Sequence, residues 1–301
     1  MIKQKKKLTL SLIEQRLHEL PLLPAVVCDL MALNSESPHF YEKVGELSKS
    51  DPALATRVLH VVNSAAAAPS KPITDLQQAL VRIGVNRILA FISLLSVARV
   101  FTPSTAQQKA LWQHSIETAH FAEFIATKFP EFAVDKNLAF TCGLLHDIGR
   151  FVMFEISAKA IDVVDAKGWD TPVELPDVES SVLGFTHADV GFIAAKRWSL
   201  PKVVTDLVHH HHRYDIWALN KVPVGLKQLI TVVQIADLLS VLVEKNPDWE
   251  SWDESELRAR IGSFCIHPKW PKMPVPIDEI AQALPEINAE CHEAMEKLRL
   301  E

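Results

Sequence analysis

The stretch Leu144-Leu145-His146-Asp147-Ile148-Gly149-Arg150 sets a His-Asp doublet into an apolar run. A small hydrophobe would pack there at lower cost, because a charge buried without a partner is strongly unfavourable. The doublet therefore needs a partner, and a divalent metal is the obvious one. Working outward, the chain supplies more imidazoles and carboxylates beside apolar sequence. Upstream, His114 sits in Ala110-Leu111-Trp112-Gln113-His114-Ser115-Ile116-Glu117-Thr118-Ala119-His120-Phe121, which reads as one helix. Leu111, His114, Thr118, Phe121, Ala122 and Ile125 recur there in steps of three and four. That spacing turns His114 toward the core and leaves Glu117 and His120 at the edge of the stripe or outside it. Downstream come His187-Ala188-Asp189-Val190-Gly191 and a run of four histidines, His209 to His212. Asp237 interrupts the otherwise apolar Val232-Val233-Gln234-Ile235-Ala236-Asp237-Leu238-Leu239.

Imidazole nitrogens and carboxylate oxygens suit Fe, Mn, Ni, Co or Zn, and Mg less well. A carboxylate such as Asp147 can also bridge two ions, the arrangement used by two-metal phosphoesterases. Each residue has a plainer reading by itself. His114 alone reads as a hydrogen-bonded core histidine, His209–His212 as a solvated helix end, and Asp237 as a hydrogen-bond partner for a neighbouring helix. The ordered set H…HD…H…HH…D, each member beside buried sequence, favours the metal reading.

That order resembles the HD superfamily of helical metal-dependent phosphohydrolases, and the surrounding sequence is closer to one branch, the HDOD signalling domains. Leu20-Pro21-Leu22-Leu23-Pro24-Ala25-Val26 is similar to that family's opening LPxLPxV. Ser50-Asp51-Pro52-Ala53-Leu54-Ala55-Thr56-Arg57-Val58-Leu59, Val62-Asn63-Ser64-Ala65 and Ile73 to Gly84 resemble its next stretches. Gly143 to Arg150, then Glu179…Gly184…His187 to Gly191, and Trp198…Leu200-Pro201…His211-His212 complete the likeness, which runs from Leu20 to His212. Position by position, the resemblance implies that His114, His146, Asp147, His187, His211 or His212, and Asp237 are metal ligands. The cyclic-dinucleotide phosphodiesterases of the HD-GYP branch follow their HH pair with a GYP element and carry Lys after HDIG. Here Arg213-Tyr214-Asp215-Ile216-Trp217-Ala218-Leu219 and Arg150 stand in those places.

The resemblance therefore implies a regulatory module that acts on a signalling protein partner, with a divalent metal (Fe, Mn, Ni, Zn or Mg) and little or no catalysis. The alternative it implies is a metal-dependent phosphohydrolase for nucleotides or cyclic dinucleotides. In that case Asp147 would bridge two ions and Arg150 would neutralise phosphoryl charge, with Lys196 or Arg197 as further nearby cations. A single redox-active or sensory metal, for example iron, is a third reading.

The 301 residues allow one large or two medium domains with a substantial core. A net charge of −6 with no basic stripe argues against nucleic-acid binding. Cys28, Cys142, Cys265 and Cys291 are scattered without a CxxC pair and read as reduced cysteines of a cytoplasmic protein. The basic start, residues 1–7, reads as a disordered tail without a signal peptide's apolar region; weak contact with acidic lipid is its alternative use. The apolar run Ile88 to Ala98 is too short to span a bilayer and reads as a core helix. The oligomeric state is not encoded in any of these patterns.

The periodicity predicts an all-α fold: an HD-superfamily helical core (residues 103–242) preceded by an N-terminal helical subdomain (8–102). A C-terminal Pro/Trp-rich segment and helix (243–301) follow. Asp51 with Pro52 predicts a helix start. Thr74-x-x-Gln77 fits a capping box, with Gly84 closing the same helix. Leu22 to Asn34 carries apolar residues at helical spacing, and Pro103-Ser104-Thr105 forms a joint before the helix of His114. Pro285 to Leu300 predicts an exposed amphipathic helix with Ile287, Cys291, Met295 and Leu298 on one face. Such a stripe usually packs on its own domain.

Overall fold

A computed structural model describes residues 8–21, 25–32, 39–64, 73–83 and 85–298. Among these residues the chain is all-α, as the periodicity predicts. The basic tail 1–7, Gly84, and the outer ends of the helices expected over 22–34 and 285–300 lie outside the described residues.

The N-terminal part folds as α1 (Leu10–Leu17), α2 (Ala25–Ala32), α3 (His39–Ser50), α4 (Pro52–Ser64), α5 (Leu76–Ile83) and α6 (Val85–Val100). Asp51 accepts from the Leu54 amide at 3.0 Å, so α4 starts where the Asp-Pro pair places it. At α5 the cap sits one residue later than the expected Thr74 box. Asp75 accepts from the Gln78 amide at 2.8 Å, and the Gln78 side chain reaches back to Thr74 and Asp75. The carboxylate is the stronger acceptor, so it takes the cap and leaves the hydroxyl to the side-chain amide.

Next come α7 (Ala106–Lys128), α8 (Lys136–Leu145), α9 (Ile148–Asp165), α10 (Leu175–Leu183), α11 (His187–Arg197), α12 (Lys202–His210) and α13 (Val224–Lys245). The joint before α7 is the expected one: Thr105 and Gln108 form a reciprocal capping box. Helix α7 packs on α8, α13 and the C-terminal helix, and α9 packs on α11. By length and composition α13 could cross a membrane, but 89% of its apolar window is buried, so here it is the central helix of the bundle.

Two glycines set how closely these helices approach. A Cβ on Gly143 of α8 would stand 2.7 Å from the Thr118 carbonyl oxygen of α7. One on Gly149 of α9 would stand 1.9 Å from the His187 carbonyl oxygen of α11. Only a hydrogen fits at either contact. These two crossings bring the elements carrying the histidines and Asp147 together.

The C-terminal region forms α14 (Glu254–Phe264) and α15 (Ile277–Leu298). Helix α15 begins eight residues before the expected start at Pro285, which lies inside it. The stripe Ile280, Leu284, Ile287, Cys291 and Met295 runs through the proline and is buried. Burial of that stripe against α7 and α14 outweighs the roughly 3 kcal/mol cost of an interior proline. The helix therefore packs its apolar stripe on its own domain, as such stripes usually do, and leaves its opposite face exposed. The four cysteines are free and buried.

Candidate metal centre

The His-Asp doublet lies at a break between helices. His146 caps the C-terminus of α8, and Asp147 precedes α9 with φ −96° and ψ 19°. The break turns both side chains inward in place of continuing the helical stripe. His114 comes from α7, and His187 is the first residue of α11, behind a Thr186–Asp189 capping box. His211 and His212 follow the last turn of α12, and Asp237 projects from the middle of α13.

These side chains form two adjoining groups. In one, His187 Nε2 is 3.0 Å and His211 Nε2 3.6 Å from Asp147 Oδ1, and His212 Nε2 is 2.9 Å from His187 Nε2. In the other, His114 Nε2 is 3.2 Å from His146 Nε2 and 3.4 Å from Asp237 Oδ1. Asp147 stands between them, with Oδ1 3.8 Å from His146 Nε2 and Oδ2 3.9 Å from His114 Nε2. All seven expected ligand positions thus converge. Both His211 and His212 enter the group, and the sequence left open which of them would.

The outer faces of the rings decide which nitrogen faces inward. His146 Nδ1 donates to the Gly143 carbonyl at 2.7 Å, and His211 Nδ1 to the Val208 carbonyl at 2.8 Å. Glu179 Oε2 accepts from both Nδ1 and the backbone N–H of His187. Ser240 Oγ donates to Glu117 Oε2 at 2.7 Å, so at 2.9 Å it accepts from His114 Nδ1. With Nδ1 protonated, each of these rings in its neutral form has its Nε2 lone pair facing the centre. Outer acceptors of this kind hold metal-ligating histidines in place.

Burial governs the charges. It pushes His146 down to about 3 and lowers His114, His211 and His212 as well. His187 is the exception: burial opposes its charge, but Glu179 and Asp147 flank it and hold it up to about 10. Asp147 is also opposed by burial, yet His146 and His187 bring it well below the usual carboxylate range. Burial and the nearby Asp147 drive Asp237 well above that range, and its Oδ2 is buried without a hydrogen-bond partner.

The donor set fits a pair of divalent ions. The lone pairs of neutral His114 and His146 face one another at 3.2 Å, an arrangement that needs a proton or a cation between them. The orphaned Asp237 oxygen needs one too. Nitrogen-rich coordination with two carboxylates suits first-row transition ions better than Mg.

A cavity of about 260 Å³ opens onto His114, Asp147, His212 and Asp237. Arg150 lines it, with Nη2 3.2 Å from Asp165 Oδ1 and the guanidinium over the Trp169 ring. The second cation on this wall is Lys245, whose Nζ donates to the Trp169 carbonyl. The expected alternatives are elsewhere. Lys196 lies over Phe192, and Arg197 donates to the Leu17 carbonyl of α1. Both occupy the last turn of α11, roughly 15 Å along the helix from His187 at 1.5 Å per residue.

Several contributors escaped the sequence reading. Glu117 is buried, not at the edge, and together with Ser240 supports His114. Gln234 donates to the His211 carbonyl at 2.7 Å and accepts from Trp270 Nε1 at 3.0 Å, tying the C-terminal segment to the ligand loop. Gln234, Asp237 and Ser240 recur every three residues in an apolar helix, and that polar stripe was the signal available for them.

Known proteins place this architecture. Solved structures of the same fold include a proposed phosphohydrolase from Shewanella amazonensis SB2B (TM-score 0.68, 21% identity, covering 95% of this chain and 97% of that one). An HDOD domain protein of unknown function from Geobacter sulfurreducens is similar too (TM-score 0.66, 23% identity, covering 94% and 97%). In sequence, an uncharacterized protein of Treponema pallidum is 26% identical over 249 residues, 81% of this chain. Ribonuclease Y of Thermus thermophilus is 31% identical over 103 residues, 34% of this chain. The chain spans 47% of the Treponema protein's length and 13% of the ribonuclease's. The HDOD domain model matches residues 20–214, which carry six of the seven converging side chains, all but Asp237. The chain belongs to the HDOD family.

Proposed function

We propose that the chain is a signal-transduction module that holds divalent metal in its His/Asp centre and acts through a protein partner, with little or no hydrolysis. The observation that carries this reading is the state of the cations beside the centre. Arg150 is paired with Asp165 and stacked on Trp169, and Lys245 is given to the Trp169 carbonyl and ring. A phosphoryl group needs donors aimed at its oxygens, and the hydrogen bonds these two cations make run to Asp165 and to the Trp169 carbonyl instead. Asp165 and Glu244 on the same wall oppose an anion further. The seven converging side chains support the metal, and a relative of the same fold from Marinobacter aquaeolei VT8 is described as a proposed signal transduction protein.

A second reading, a metal-dependent phosphohydrolase, is favoured by the cavity opening onto Asp147 and Asp237. Metal in this centre would supply Lewis acidity toward a phosphoester. The chain's own part would be that Asp147 joins the two ligand groups and Arg150 turns from Asp165 to the phosphoryl oxygens. The test is turnover of phosphodiesters, nucleotides and cyclic dinucleotides by metal-loaded protein, beside Asp147→Ala. The module reading expects no turnover that depends on Asp147. Turnover lost in the variant would replace it with the hydrolase.

A further inference from the structure

A second cavity, of about 390 Å³, shares His114 and Glu244 with the first but lies among α7, α13 and α15. Asn288, His292, Trp249 and Glu250 on its wall lie beyond the residues matched by the HDOD model. Its chemistry is one-sided. Glu117, Glu244 and Glu250 contribute carboxylates against the imidazoles of His114 and His292, and among the described residues that line it none is Lys or Arg. Asn288 is 7% exposed, and its Oδ1 is buried without a hydrogen-bond partner.

Glu117 is 2% exposed and accepts from Gln113 Nε2 at 2.8 Å and from Ser240 Oγ at 2.7 Å. A carboxylate has about four acceptor sites, so two hydrogen bonds leave capacity unused. None of the described residues lining the cavity is a Lys or Arg that could offset its charge, and burial pushes it up to about 7. A cation placed in the cavity would relieve that penalty. The space is far larger than a bare ion or one water, whose share of liquid volume is about 30 Å³. It lies within the range of small organic ligand sites, roughly 300–1,000 Å³. Trp249, itself buried, lines the cavity and supplies an aromatic residue of the kind that suits a cationic ligand.

We propose that this cavity binds a small aliphatic amine. Its ammonium head donates to Glu117 and Asn288, and its chain lies along Trp249 toward Glu244 and Glu250. The site adjoins the metal centre through His114 and the Ser240–Glu117 contact, but Asp147 and the other five proposed ligands do not line it, so the Asp147→Ala arm separates the two readings.

The test is calorimetric titration of the full chain with 1,4-diaminobutane and n-butylamine, with 1,4-butanediol as the uncharged probe. The amines are expected to bind saturably in the wild type and in Asp147→Ala, and the diol not at all. Asn288→Leu and Glu117→Gln should each weaken amine binding by ~10-fold or more, as expected when a charged hydrogen bond is lost in a buried site. Glu250→Gln, on an exposed residue and without risk to the fold, should weaken the diamine ~3-fold, as expected for an exposed charge pair. If the buried variants fail to fold, the Glu250 variant decides: loss of diamine affinity supports the site and unchanged affinity overturns it. The absence of saturable amine binding, equal binding of the diol, or wild-type affinity in folded Asn288→Leu and Glu117→Gln would each overturn it.

Discussion

Replacing Gly149 with alanine tests whether the closeness of α9 and α11 creates the centre. The added Cβ would stand 1.9 Å from the His187 carbonyl oxygen, 2.7 Å from the Gly191 nitrogen and 2.8 Å from the His187 carbonyl carbon. All three are backbone atoms, so no side chain can rotate away. Restoring even the shortest tolerable approach requires the helices to part by about 1 Å, and ideal contact requires more. Asp147 and His187 sit at this crossing, with Oδ1 and Nε2 3.0 Å apart. Parting the helices would open that distance toward about 4 Å, whereas metal–ligand distances tolerate only about 0.2 Å. Overpacking of this kind costs roughly 1–3 kcal/mol. For a chain of this size that is a fall in Tm of about 2–12 °C. Metal affinity, read by competition with a chromophoric chelator, should fall by ~10-fold or more. Gly225→Ala is the control, because a Cβ there meets nothing within 4 Å. It should leave affinity unchanged and stability unchanged or raised by about 0.5–1 kcal/mol. A Gly149→Ala protein with wild-type Tm and metal affinity would refute the close-approach argument.

Other outcomes follow from the supporting residues. Glu179→Gln weakens the hold on His187 Nδ1 and should lower metal affinity by about 10–100-fold, with helix content by circular dichroism retained. Gln234→Leu orphans the Trp270 indole N–H and the His211 carbonyl and should cost roughly 2–5 kcal/mol in urea unfolding; Trp270→Phe should keep the His211 contact and retain more metal affinity. Glu117 carries a pH signature in chelator-treated protein. Its folded value is raised by burial from 4.5 to about 7, so between those values the folded chain holds a proton that the unfolded chain has released. Stability from this group is therefore full at low pH and is lost as pH rises through about 7, by roughly 3 kcal/mol. Glu117→Gln should flatten that part of the stability profile, and an identical slope in the variant would remove Glu117 as its source.

The histidines and Asp147 were legible because each breaks an apolar pattern, and polar residues in such runs need partners wherever the chain leads them. The α-helical character was equally legible from spacing alone. Positions that depend on the third dimension were not. Glu117 falls off the stripe of α7 on a helical wheel, yet α13 and α15 cover that face and bury it. The start of α15 was misplaced because a proline is a local stop signal, whereas the stripe beneath it is a tertiary reward. Arg197 looked close to the ligands in sequence and is a helix length away in space. Lys245 carries no sequence signal of its own, and α13 brings it to the cavity.

The central claim is that the seven converging side chains hold metal. Elemental analysis of the tag-free chain, after reloading with Mn, Fe or Zn and desalting, tests it most directly, with the wild type beside Asp147→Ala. Two ligand groups joined at Asp147 predict one to two ions per chain in the wild type and loss of metal in the folded variant. A folded wild-type protein without metal, or a variant that keeps the wild-type content, would contradict it.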